Sequence, residues 1–313
     1  MLKLWAFVVV YIVANSHQWG LLTTKQQQNL TQMVIQPARI NETASLDPIV
    51  AASTSLSNVA IPVPLAGYQS LTLPVKGAIA IDQTTGTVLF EQTADTQLPI
   101  ASLTKLVTAL VILSNHHLDD VVTIPTLPTY QAADARMGLL PGDHFSISQL
   151  VSALLIPSAN DAADALAIYH SGSLDAFSQA QNAKLKLWSV PTTHLANASG
   201  LSDDNNYSTA RDLSKIANLA LINPFIRSVV SQPNLTITNQ EGRVYQLATT
   251  NQLLSIKDFH GIKTGYTLAA GQCYIGLVTI NGHEVITVVL GAQDRFGNTK
   301  TMTDWIKNNW QWL

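Results

Sequence analysis

Cysteine occurs once in the 313 residues, at Cys273, so no disulfide can close within the chain. Its surroundings, Cys-Tyr-Ile-Gly-Leu-Val, are apolar and predict a small buried hydrophobe instead of a reactive thiol. Charge is also sparse. Only 12% of residues are charged and the formal net charge is −3, which leaves no basic face to neutralise phosphates and excludes nucleic acid as a partner. None of the 8 histidines falls in a His-Glu-x-x-His pattern or a ligand cluster, so neither a metal nor a cofactor is expected. Glutamate is missing altogether between Glu91 and Glu241. What the chain has in quantity is apolar side chain, 47% of it, enough to build a core that needs no cross-link.

The N-terminus reads as an export segment. Lys3 precedes the apolar run Leu4–Ala14, and Ala14-Asn15-Ser16 resembles a small-residue cleavage site. That run is short of the ~20 residues a helical span needs. Against cleavage, no charge occurs between Lys3 and Lys25, and Trp5 and Trp19 could mark the two interfaces of a retained anchor. Both readings stay open for residues 1–22. Either way, Lys3 on the inner side puts the rest of the chain outside the cytoplasm.

Residues 23–73 are rich in Gln, Thr, Ser and Ala, with scattered prolines and no sustained period, and are expected to form a flexible tether with a span on the order of 40 Å. The folded domain is expected over 74–313. Two β-rich segments, Val75–Ile81 and Thr87–Glu91, flank the turn Asp82-Gln-Thr-Thr-Gly86. A helix from Ser102 to about Asn115 is apolar on nearly every face and must be central. Helical patterns follow at Ser148–Leu155, Asn160–His170 and Thr209–Leu221, the last with Ser208 as its cap. Strands return at Val244–Leu247, Gly271–Ile280 and Glu284–Leu290, with Asn281-Gly282 as a hairpin turn, and Lys300–Trp312 reads as a closing helix. Strands, then a helical block, then strands and a helix predict an α+β sandwich. Its antiparallel sheet is flanked by helices, its early and late strands pair, and a helical subdomain is inserted between them.

Three short motifs carry chemistry. In Ser102-Leu-Thr-Lys105 the i, i+3 spacing puts a hydroxyl and an amine on one face of a helix, one turn apart, at the end where backbone N–H groups favour an anion. A lysine can deprotonate a serine only when neutral, and burial in this apolar helix together with a nearby second cation would lower its pKa. Ser158-Ala-Asn160 lies on what reads as a strand-to-helix turn. Ser158 or Asn160 could simply cap that helix, or Ser158 could relay a proton while Asn160 holds Lys105 and a substrate amide. In Lys263-Thr264-Gly265 a charge and a hydroxyl are offered to an anionic carboxylate, and the glycine would let a substrate backbone approach an edge strand. Together they supply a nucleophile, a base, a relay and a carboxylate clamp, the parts of an acyl-transfer site without a histidine.

From about Val75 onward the chain resembles the low-molecular-mass penicillin-binding proteins, specifically the serine D-alanyl-D-alanine carboxypeptidases of peptidase family S11. The resemblance rests on those motifs and on Pro99-Ile-Ala-Ser102-Leu-Thr-Lys105, Leu140-Pro-Gly142, Asn197-Ala-Ser-Gly-Leu201, Ser208-Thr-Ala-Arg-Asp-Leu213 and Gly261-Ile-Lys-Thr-Gly-Tyr-Thr with Ala270-Gly271, in that order. It implies the fold shared by β-lactamases and penicillin-binding transpeptidases, a peptidoglycan stem peptide ending in D-Ala-D-Ala as substrate, β-lactams as covalent inhibitors, and a place in the cell envelope. It makes Ser102 the acylated nucleophile, Lys105 its base, Ser158 the relay, and Lys263 with Thr264 the carboxylate site. The backbone N–H groups of Ser102 and Tyr266 would form the oxyanion hole, with Arg295 adding charge. Many relatives continue into a further β domain and an amphipathic helix; here the chain stops at Leu313, so membrane attachment is expected only through the N-terminus. A class A β-lactamase needs a glutamate for its deacylating water, and the glutamate-free interval predicts slow release of penicillin. A D,D-endopeptidase on cross-links and a penicillin-binding sensor without turnover are the alternatives.

Overall fold

Turn chemistry sets where the sheet strands begin and end in the computed structural model, which describes residues 59–67, 69–201 and 205–313. The expected export segment and most of the expected tether lie outside the described residues. Five strands form an antiparallel sheet: β1 (Gly77–Asp82), β2 (Val88–Gln92), β3 (Phe259–Thr267), β4 (Gly271–Ile280) and β5 (His283–Ala292), in spatial order β3-β4-β5-β1-β2. Gly86, at φ +72°, closes the first hairpin by donating its N–H to Asp82 O. Asn281 and Gly282, both at positive φ, join β4 to β5, as a tight two-residue hairpin requires. Early and late strands pair directly, with Thr287 of β5 opposite Ala80 of β1. The edge strand β3 carries Lys263, Thr264 and Gly265 opposite Ile275, Tyr274 and Cys273.

Between β2 and β3 the chain builds a helical subdomain: α1 (Thr104–Leu113), α2 (Ile147–Leu155), α3 (Asn160–Ser171), α4 (Leu174–Leu187), α5 (Ala210–Ile222) and α6 (Pro224–Val230). A final helix, α7 (Arg295–Asn309), follows β5. The strand period of two divides the core between the two faces of the sheet. Ile79 of β1 and Ile275 of β4 pack with the helical subdomain, while Ala78 and Ala80 face α7 through Met302 and Ile306. The all-round apolar α1 sits centrally, packed against α2, α3, α4 and α5, so Lys105 on its first turn is fully enclosed.

Four local expectations are corrected. The turn before Asn160 joins helix to helix, α2 to α3; it has Ala159 at the cap position without a side-chain bond, and Ser158 stands at φ +67°. Thr209, not Ser208, caps α5, accepting from Asp212 N. The closing helix starts earlier and ends at Asn309, where Trp310–Trp312 turns into a strand paired with Pro62–Pro64. That strand and the buried Leu73 bring ordered structure into the C-terminal part of the expected tether. Prolines at 62 and 64 read as loop, yet an edge position tolerates their missing N–H groups. Among the described residues no helix is long and apolar enough to cross a membrane.

Candidate active site

Ser102 lies in a 3-10 turn, Ala101–Leu103, that runs into α1. One turn on, Lys105 Nζ stands 3.0 Å from Ser102 Oγ, 2.6 Å from Asn160 Oδ1 and 2.6 Å from Ser199 O. Two of these neighbours are pure acceptors. A neutral amine has two N–H groups to satisfy them, which leaves its lone pair for the Ser102 hydroxyl. Burial pushes the Lys105 amine down to about 7, against an upward pull from the Asp164, Asp161 and Asp134 carboxylates. The apolar enclosure read from the sequence is thus the main cause.

Lys263 occupies a second, adjoining network. Its Nζ is buried and donates to Ser158 Oγ at 2.8 Å and to Thr264 O at 3.0 Å. Burial lowers its pKa well below the usual lysine value, followed by the charges of Lys105 and Arg295. The turn 158–160 joins the two networks, since Ser158 faces Lys263 while Asn160 faces Lys105. Thr264 is buried with its hydroxyl against that of Thr250. Arg295 reaches the same strand from α7, its Nη1 donating to Gly265 O at 2.9 Å. All seven motif residues therefore fall within these two networks or, for Gly265, directly against them.

Gly265 also packs closely against the turn that carries Ser102. A Cβ there would lie 3.0 Å from Ile100 O and 3.2 Å from Ser102 N, so the missing side chain lets the Ser102 turn sit on β3. Gly200 is more constrained still. At φ +74°, a Cβ would fall 1.9 Å from Ala101 O. Asn197 shapes that loop by accepting from Gly200 N at 2.7 Å and Ser199 N at 3.2 Å, which turns Ser199 O toward Lys105. Neither the Ser199 carbonyl nor Gly200 was assigned a role from sequence, although Asn-x-Ser-Gly is a recognisable side-chain turn.

A cleft of about 840 Å³ opens over Ser102, lined among others by Asn160, Leu201, Tyr266 and Leu268. Tyr266 is 58% exposed and follows Gly265 along β3, so its backbone borders the same opening as Ser102. Cys273 lies buried behind β3, and burial raises its thiol to about 11, which leaves it no part in nucleophilic chemistry. Among the described residues no group of three or more His, Cys, Asp and Glu side chains is arranged to hold a metal ion.

This geometry agrees with the comparisons. Residues 66–294 match the family model of peptidase S11, D-alanyl-D-alanine carboxypeptidase. The chain belongs to the peptidase S11 family. Among its S11 relatives, a D-alanyl-D-alanine carboxypeptidase of Streptomyces sp. (strain K15) is 35% identical, with 71% of this chain and 82% of that protein covered. A D-alanyl-D-alanine endopeptidase of Pseudomonas aeruginosa is 32% identical over 82% of this chain and 85% of its own length. The crystal structure of the Streptomyces K15 DD-transpeptidase superposes with a TM-score of 0.69 at 31% identity, covering 76% of this chain and 98% of that one. A D-alanyl-D-alanine carboxypeptidase from Mycobacterium tuberculosis H37Rv gives 0.71 at 28% identity, covering 78% and 95%. The α+β sandwich expected from element order is the fold of these S11 enzymes.

Proposed function

We propose that this S11 chain is a serine D-alanyl-D-alanine carboxypeptidase that removes the terminal D-alanine of peptidoglycan stem peptides through an acyl-enzyme on Ser102. The observation that carries the reading is the Lys105 amine, buried, lowered to about 7, and held 3.0 Å from Ser102 Oγ by two fixed acceptors. Neutral Lys105 takes the Ser102 proton as Oγ attacks the carbonyl carbon of the penultimate residue. The oxyanion is met by the backbone N–H groups of Ser102 and Tyr266. Ser158, hydrogen-bonded to Lys263, relays the proton that Lys105 has taken to the departing D-alanine amine, which leaves Lys105 neutral again. Lys263 fixes Ser158 from behind through its hydrogen bond, and Thr264 and Arg295 orient the terminal carboxylate. Lys105 then activates the water that cleaves the ester, returning Ser102 to its free state.

D-alanine release from a peptide ending in D-Ala-D-Ala tests this. The wild-type protein releases it and Ser102→Ala does not; acylation by penicillin without any D-alanine release would make the protein a sensor. The Pseudomonas aeruginosa relative supports a second reading, endopeptidase action on D,D-cross-links, distinguished by monomer release from a cross-linked dimer. Penicillin is expected to acylate Ser102 and leave slowly, since the sequence has no glutamate from Glu91 to Glu241. Work at the cell envelope follows from the substrate. Attachment there through residues 1–22, or secretion after their cleavage, is decided by the mature N-terminus.

A further inference from the structure

Lys105 grips the loop before Leu201 through Ser199 O, and a second residue of α1 grips the same loop one turn further on. Thr108 Oγ1 donates to Ala198 O at 2.6 Å. The i, i+3 spacing puts Lys105 and Thr108 on one face of the helix, where they meet two successive carbonyls. Thr108 is fully buried, and so is its other partner, Gln181 of α4. Gln181 Nε2 donates to Thr108 Oγ1 at 3.0 Å, which leaves the single hydroxyl proton for Ala198 O. Neighbouring side chains of α4 hold the approach to the loop. Ser178 Oγ donates to Ala196 O at 2.7 Å, while Asn182 donates to Leu195 O at 2.7 Å and accepts from Leu195 N at 3.0 Å.

The product of these bonds is the direction of Ser199 O. A peptide unit is planar, so holding its oxygen and its N–H fixes the whole plane. The unit between Ala198 and Ser199 is held at its oxygen by Thr108 and at its N–H by Asn197 Oδ1. The next unit is held at its N–H by the same Asn197 oxygen and presents Ser199 O to Lys105. Asn160 Oδ1 alone would fix one N–H of the neutral amine and leave it free to turn about that bond. The second fixed acceptor, Ser199 O, stops that rotation and leaves the lone pair on the Ser102 side.

We propose that Thr108 is a positioning residue for acyl transfer: through Ala198 O it holds Ser199 O on Lys105, and so aims the amine's lone pair at Ser102. The proposal rests on the carboxypeptidase reading, and its test keeps the two apart. The rate of Ser102 acylation by a penicillin is followed against pH in wild type, Thr108→Val and Thr108→Ser, with urea unfolding and D-alanine release measured alongside. Thr108→Val is expected to lower the plateau rate of the folded protein roughly tenfold or more, the cost of a misaimed base. It also moves the midpoint of the profile to lower pH, because an acceptor that bonds the ammonium form favours it and its loss does the reverse. The carboxylates that pull on Lys105, those of Asp164, Asp161 and Asp134, are untouched by the change, so the midpoint reports the carbonyl. Thr108→Ser restores both rate and midpoint. A loss of stability with the wild-type rate and midpoint kept marks a merely structural role and overturns the proposal, as does a Thr108→Ser variant as slow as Thr108→Val. If Thr108→Val does not fold, Gln181→Met decides. It frees the Thr108 hydroxyl to turn back to the helix carbonyl four residues earlier, and a lowered midpoint supports the proposal where an unmoved one overturns it. Wild type that is acylated without releasing D-alanine overturns the carboxypeptidase reading, and the Thr108 comparison is then decided on acylation alone. Wild type that is not acylated overturns both.

Discussion

Replacing Lys105 by methionine separates the basicity of the amine from the packing around it. Methionine fills similar unbranched space without a charge. In the native fold the Lys105 amine sits at about 7 instead of 10.5, with burial the dominant cause. Between those values the unfolded chain binds a proton that the folded chain does not, so the lysine costs the fold most below about pH 7 and nothing above about pH 10.5. The full cost is about 5 kcal/mol, and roughly 2 kcal/mol of it disappears between about pH 7 and pH 9. Lys105→Met removes that pH dependence. It also leaves Asn160 Oδ1 and Ser199 O without a donor, a penalty of ~1–3 kcal/mol each that does not vary with pH. The informative quantity is therefore the change with pH of the stability difference, measured by urea unfolding of both proteins. Wild type should gain roughly 2 kcal/mol on the variant from about pH 7 to pH 9. Parallel stability profiles would refute a lowered amine and with it the role of Lys105 as a neutral base.

The rate of Ser102 acylation by a penicillin should rise as pH increases through about 7 and then level, because only the neutral amine accepts the proton; a profile flat from pH 5 to 9 would contradict this. Gly200→Ala forces a Cβ onto Ala101 O at a left-handed backbone position, so it should destabilise by more than ~2 kcal/mol and abolish acylation, read by denaturant unfolding and penicillin labelling. Asp161→Ala deprives three successive N–H groups of their acceptor and should cost about 3 kcal/mol, with faster amide exchange at Met137, Gly138 and Leu139.

The residues that meet at the candidate site were legible in sequence because each sits in a short motif whose spacing is set by one element. Ser102 and Lys105 share a helical face, and the chemistry of Lys105 follows from the apolar residues around it in the same helix. Asp82–Gly86 and Asn281-Gly282 announced their hairpins for the same reason: a positive φ is a local demand. What escaped notice depends on distant partners. Asp161 matters because of backbone donors 22–24 residues earlier, and Thr108 because of a backbone carbonyl 90 residues later. Helix α4 escaped because few of its side chains are buried and its polar positions blur the 3.6-residue period. Pro62-Val63-Pro64 carries a loop composition, and only the facing Trp310–Trp312 makes it a strand.

Mass spectrometry of the penicillin-treated full chain tests the central claim most directly. The account predicts a single acyl adduct on the peptide containing Ser102, persisting for minutes or longer and absent in Ser102→Ala. An adduct on any other residue, or none under conditions where the folded protein releases D-alanine, would contradict it.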